Sequence, residues 1–158
     1  MELFVIRHAT AVPGREDFPD EARALTPKGK RRFEAVVRGL ERLDVRFDHL
    51  LHSPILRAVE TAECLVPLLD GPTEVTAWLV GPPSRELLAR LSGERVAVVG
   101  HEPGLSALVA WLVVGSPKRG EHFALGKGAV AWLDGAPKPG EMRLMALLPG
   151  SVARQVRG

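Results

Sequence analysis

Apolar and polar positions fall along the chain in blocks. Leu3-Phe4-Val5-Ile6 is an uninterrupted apolar run that stops at Arg7-His8, the pattern of a strand buried on both faces that leaves its sheet at a polar break. The polar, Pro- and Gly-containing stretch from Pro13 to Leu25 predicts a long loop. Thr26-Pro27 then starts a helix, with threonine as N-cap and proline at a first position whose N–H would have no partner. Phe33, Val36, Leu40 and Leu43 recur at spacings of three and four, which predicts one apolar stripe against the sheet.

The same alternation continues. Asp48 to His52 reads as a second strand, and Ser53-Pro54 repeats the cap-plus-proline helix start ahead of Ile55, Ala58, Val59, Ala62, Leu65 and Val66, with Pro67 and the Asp70-Gly71-Pro72 turn as the stop. A third strand is expected over Glu74 to Leu79, a short helix over Arg85 to Leu91 and a fourth strand over Arg95 to Val99, ending at Gly100-His101-Glu102. Pro103 opens a helix in which Leu105, Leu108, Val109, Trp111, Leu112 and Val113 leave little polar face. Ala129 to Leu133 and Arg143 to Leu148 form a closing strand pair around the turn Asp134 to Glu141, and the polar tail after Pro149 is expected to fray. The pattern predicts an α/β protein, a three-layer α/β/α sandwich on a mostly parallel central sheet, in a single domain over residues 1–158.

Composition narrows the function classes. A chain of 158 residues can bury roughly two thirds of its unfolded surface in one core. The hydrophobic content of 46% and charged content of 25% are those of an ordinary globular domain. The net charge is +2, with basic residues scattered among acidic ones, which argues against a nucleic-acid partner. No apolar run nears the ~18 residues needed to span a bilayer, so no membrane partner is expected. The single Cys64 has no internal disulfide partner, and a cytoplasmic location is the expectation.

Three of the five histidines share an address: strand one ends in Arg7-His8, strand two in His52-Ser53 and strand four in Gly100-His101. In a parallel sheet these ends form the carboxyl edge, where open α/β proteins place ligands. Two of these breaks lead at once into helix starts, whose free N–H groups suit an anion. Arg57, in the first turn of its helix, leans toward that edge and joins Arg7. Two forked guanidinium groups around one site match a phosphate, several of whose oxygens need donors. With the phosphate so held, one histidine can act as nucleophile and another can donate to the transferring group.

These residues resemble a known family. Arg7-His8-Ala9 is similar to the Arg-His-Gly motif of the histidine phosphatase superfamily, also called phosphoglycerate mutase-like. Leu25-Thr26-Pro27-Lys28-Gly29, Ser53-Pro54-Ile55-Leu56-Arg57-Ala58-Val59-Glu60-Thr61-Ala62 and Val99-Gly100-His101-Glu102-Pro103-Gly104 resemble its other blocks, in the family's order. The short length and the Arg23-Ala24-Leu25-Thr26 segment are most similar to phosphohistidine phosphatases of the SixA type. The resemblance implies a metal-independent phosphatase without cofactor, with His8 transiently phosphorylated and Arg7, Arg57 and His101 forming the phosphate pocket, Arg23 beside it. It implies as partner a phosphohistidine on a signalling or phosphocarrier protein, or alternatively a small phosphate ester such as a sugar or nucleotide phosphate.

Two departures from the family pattern bear on the chemistry. Ala9 replaces the motif glycine and adds a methyl group. Where many relatives carry a general acid, Trp78-Leu79-Val80-Gly81-Pro82-Pro83 has no carboxylate before Glu86. Glu86 and Glu102 are the candidate proton donors, although each equally suits a helix start. A phosphohistidine imidazole leaves neutral once its ring is protonated, whereas an alkoxide must be protonated as it leaves, so the missing acid favours phosphohistidine as substrate.

Competing readings remain at this level. His8, His52 and His101 are suitable zinc ligands, but two arginines beside them would repel the cation. An inert phosphoprotein-binding module would keep the arginines without needing both histidines. His52 is read as structural, His49 and His122 as surface or capping residues, Gly126-Lys127-Gly128 as a turn, and the three tryptophans as core.

Overall fold

The computed structural model describes residues 1–157. Six strands form one mixed sheet in the order β3-β2-β4-β1-β5-β6. They are β1 (Glu2–Arg7), β2 (His49–His52), β3 (Thr73–Val75), β4 (Arg95–Gly100), β5 (Val130–Gly135) and β6 (Met142–Leu148). The first four in that order run parallel, and β5 and β6 continue the sheet antiparallel.

The uninterrupted apolar runs are explained by cover on both faces. Phe4, Ile6, Leu50, Ala97 and Val99 pack on one side with α1 (Pro27–Arg42), α2 (Leu56–Leu65) and α5 (Gly150–Ala153). Leu3, Val5, Leu51, Val96 and Val98 pack on the other with α3 (Arg85–Arg90) and α4 (Gly104–Val114). Strand alternation thus divides each run between two cores. Thr26 caps α1 as its sequence predicts, its hydroxyl accepting from Gly29 N at 2.9 Å. Among the described residues no helix is long and apolar enough to cross a membrane.

Several expectations are corrected. The third strand stops at Val75 instead of reaching Leu79: its partner β2 ends at His52, whose carbonyl accepts from Thr76 N, and the Thr76 hydroxyl accepts from Trp78 N and starts a one-turn 3-10 helix over Ala77–Leu79. Leu43 lies beyond the end of α1 and is 39% exposed, and Val37 completes the buried stripe. Val66 is exposed in a 3-10 turn after α2. Trp78 is exposed, whereas Trp132 stacks on Phe4 at 5.2 Å between ring centroids. His49 is buried, with Nδ1 on the Ser92 carbonyl at 3.1 Å.

The start of the tail is tied down rather than frayed, over Gly150–Ala153. It forms α5, whose Ala153 is fully buried, and the α5 backbone approaches α1 so closely at Gly39 that any Cβ there would collide with the Ala153 carbonyl.

Candidate active site

Strand register assembles the site. Arg7 pairs with Gly100 across β1 and β4, so the next residues of both strands, His8 and His101, emerge side by side. The His8 N–H donates to the Gly100 carbonyl at 3.1 Å, and the two imidazole centroids stand 5.2 Å apart, inclined by 48°. Both rings are buried, with 6% and 7% exposure.

His52 ends its strand too but belongs to a deeper layer. It pairs with Val99, which pairs with Ile6, two residues or about 7 Å back from the His8–His101 level. Its Nδ1 is on the Ser53 carbonyl at 2.8 Å. Among the described residues no group of three or more His, Cys, Asp or Glu could hold a metal ion, so the three-histidine ligand set is not assembled.

The hydrogen bonds define the proton positions. His8 Nδ1 lies 2.7 Å from the Ala9 carbonyl, an acceptor only, so Nδ1 carries the hydrogen and Nε2 keeps its lone pair. Ala9 is itself held, its N–H donating to the Thr61 hydroxyl at 3.0 Å, and that hydroxyl donates to the Arg57 carbonyl at 2.6 Å. His101 Nε2 lies 2.8 Å from Ser53 Oγ. Ser53 Oγ also accepts from Ile55 N at 3.1 Å, and we assign its O–H to His101 Nε2, the acceptor within its reach. This assigns the His101 proton to Nδ1, which is buried without a protein partner. The expected role of Ser53 as a helix cap is thereby corrected: α2 begins at Leu56, with Ile55 at its cap position.

Electrostatics keep both imidazoles neutral. Burial, foremost, lowers the pKa of His8 to about 4, opposed by its hydrogen bond to Ala9 and aided by His101, Arg57 and Arg7. His101 is likewise lowered to about 4, by burial and then Arg57, with Asp20 opposing and Arg7 adding. A neutral Nε2 lone pair is what a histidine nucleophile requires.

The arginines arrive from two directions. Arg7, at the end of β1, donates from Nη1 to the Leu125 carbonyl at 2.8 Å. Arg57, in the first turn of α2, donates from Nη1 to the Asp20 carbonyl at 2.9 Å and from Nη2 to Asp20 Oδ2 at 3.0 Å. The Nε atoms of both arginines are buried without a partner, so each guanidinium retains a donor for an anion. Arg23 reaches the group through Asp20, donating from Nε to its Oδ1 at 2.9 Å, and also donates to the Val12 carbonyl.

Asp20 is the residue that the sequence reading missed. It sits in a 3-10 turn, Asp20–Ala22, inside the stretch read as plain loop. Its spacing of three before Arg23 was the available signal. Arg57 first, with Arg23, holds its carboxyl below the ordinary aspartate range, so it is an anion and not a proton donor. Of the two candidate acids, Glu102 accepts from Ser106 N at 3.0 Å and caps α4, while Glu86 is exposed in the first turn of α3.

The chain is similar to known phosphatases. The family model described as histidine phosphatase superfamily (branch 1) matches residues 3–80, which include Arg7, His8 and Arg57 and stop short of His101. An uncharacterised protein of Picosynechococcus sp. is 31% identical over 141 residues, 84% of each chain. The protein histidine phosphatase SixA in complex with tungstate has a similar fold, with a TM-score of 0.78 and 24% identity over 96% of this chain and 98% of that one. So does an alpha-ribazole-5'-phosphate phosphatase described as putative from Escherichia coli, with a TM-score of 0.75 and 20% identity over 95% and 97%.

Proposed function

Because the chain belongs to the histidine phosphatase superfamily, whose members are phosphatases with a histidine nucleophile, we propose that it removes phosphoryl groups through His8, acting on phosphohistidine of a signalling or phosphocarrier protein. The observation that carries this reading is the pairing of a neutral His8, its Nε2 lone pair free, with His101, beside two arginines that retain buried donors.

The step follows from those positions. His8 Nε2 attacks phosphorus in line, the bond from phosphorus to the substrate's imidazole nitrogen breaks, and its electrons stay on that ring, which leaves neutral because its other nitrogen is protonated. Phosphorylated His8 is cationic, and its Nδ1–H keeps donating to the Ala9 carbonyl. Arg7, Arg57 and His101 Nδ1–H offset the charge spread over the phosphoryl oxygens. Water then attacks phosphorus, releasing phosphate and restoring Nε2.

The substrate class rests on the proton donor. The carboxylate that reaches Arg57 is Asp20, held ionised by that contact, Glu102 is engaged in its cap, and Glu86 is exposed. A leaving group that departs without a carboxylic acid suits this arrangement. Small phosphate esters, whose alkoxide needs a proton, are the second reading. They are represented among similar folds by the alpha-ribazole-5'-phosphate enzyme.

The test offers the protein a phosphohistidine protein, an aryl phosphate and a sugar phosphate without added metal and with EDTA. The phosphohistidine protein is expected to give the highest kcat/KM, by at least about tenfold. A sugar phosphate turned over faster would transfer the assignment to the second reading. His8→Ala is expected to lose activity by about a thousandfold or more and to form no acid-labile, base-stable phosphoenzyme. Wild-type rates in that variant would remove His8 as nucleophile.

A further inference from the structure

A second hollow stands beside the phosphate pocket, lined by none of Arg7, His8, Arg57 and His101. A cavity of about 300 Å³ lies between the N-terminal half of α1, the turn before β5 and α5. Its cations come from three separate elements: Arg32 from α1, Lys127 from the turn and Arg154 from just beyond α5. No aspartate or glutamate lines it. Among the described residues, none of these three side chains has an ion pair or hydrogen bond, whereas Arg23, Arg57 and Arg143 are each paired with a carboxylate. Like charges gathered around one hollow raise its potential, and an anion relieves that repulsion.

The shape limits what the anion can be. At about 300 Å³ the hollow is at the small end of ligand pockets, too small for a folded partner. Phe33 and Val36 contribute apolar lining beside the cations, which accommodates an uncharged body attached to the charge. Three cations suit a dianion better than a single carboxylate, and two arginines supply forked donors.

The wall is shared with the chemistry. Ala9 and Thr10, directly after His8, line the cavity, and so does Gly128, whose N–H lies 3.2 Å from the Arg7 carbonyl and 3.1 Å from the His8 carbonyl. Gly128 has φ +72°, and a Cβ there would meet the Phe33 ring at 3.3 Å, so the turn closes on the cavity only with glycine in place. Arg7, His8, Arg57 and His101 themselves do not line it. Arg154 also borders a neighbouring hollow with Arg42 and Arg157, which extends the positive field.

We propose that this cavity binds a small organic phosphate monoester, held by Arg32, Lys127 and Arg154, as a site separate from the His8–His101 pocket.

The experiment removes the first pocket and looks for the second. In a His8→Ala/Arg57→Ala protein labelled with 15N, phenyl phosphate at constant ionic strength is expected to shift the amides of Gly126, Lys127, Gly128 and Ser151 saturably. Adding Arg32→Ala and Arg154→Ala is expected to weaken that binding at least tenfold, with the circular dichroism spectrum unchanged. If that variant does not fold, Arg32→Glu in the same background provides the same comparison. The proposal fails if those amides do not shift, or if binding is as tight after the cations are removed.

Discussion

At His101 a single hydroxyl decides which nitrogen is left for a phosphoryl oxygen. Ser53 Oγ lies 2.8 Å from Nε2, and with its O–H assigned to that nitrogen the ring proton sits on Nδ1, which has no protein partner. Ser53→Ala frees the ring to take either tautomer and leaves the other atoms of the site in place. We expect kcat to fall about tenfold, the scale of one lost buried hydrogen bond, with KM changed less than about twofold. An unchanged kcat would show that the tautomer needs no help from Ser53. The sequence presented this serine as a helix cap, because Ser-Pro before a helical stripe carries the same local signature. Arg7, His8, Arg57 and His101 were legible as candidates, since each sits where an apolar run breaks or in the first turn after one. Asp20 was not, because its contact with Arg57 crosses 37 residues of sequence.

Elements answer to backbone proximity that periodicity does not record. α5 was expected as a loose tail, yet it docks where α1 has glycine at position 39, and a side chain at that point would collide with the Ala153 carbonyl. Gly39→Ala is therefore expected to destabilise the protein by about 1–3 kcal/mol through overpacking, seen as a fall of several degrees in Tm. An unaltered Tm would mean that α5 adjusts freely. The 13–25 loop has a functional consequence of a different kind. Its Asp20 occupies Arg57 Nη2 at 3.0 Å, where a phosphate would compete with it, and its side chain is 61% exposed. Asp20→Asn keeps the shape and removes the competing charge. Inorganic phosphate is expected to inhibit about threefold more tightly, a small factor because exposed ion pairs are weak. Equal inhibition constants would show that Asp20 yields its place without cost.

For the whole molecule, burying two neutral histidines ties stability to pH. His8 and His101 have folded pKa values of about 4 against an ordinary 6.5, so between those values the unfolded chain binds more protons than the folded one. Stability then rises with pH through that window. It is complete above about 6.5 and falls as pH drops toward 4, by on the order of 2–3 kcal/mol for each ring. Denaturant midpoints measured from pH 7 to pH 4 are expected to decline, and the decline should shrink in His8→Ala. A flat profile would show that the rings titrate alike in the folded and unfolded chains. Local chemistry was enough to determine the alternation of strands and helices, the two-sided burial of β1 and β4, the threonine cap of α1 and the residue types able to hold a phosphate, because each depends on spacings within a few positions. Register and docking were decided only in three dimensions. The pairing of Arg7 with Gly100 and of His52 with Val99 places His8 beside His101 and leaves His52 a layer below, although all three end strands in the same way. Hydrogen bonding between strands distant in sequence sets that offset, and side-chain alternation within one strand carries no record of it.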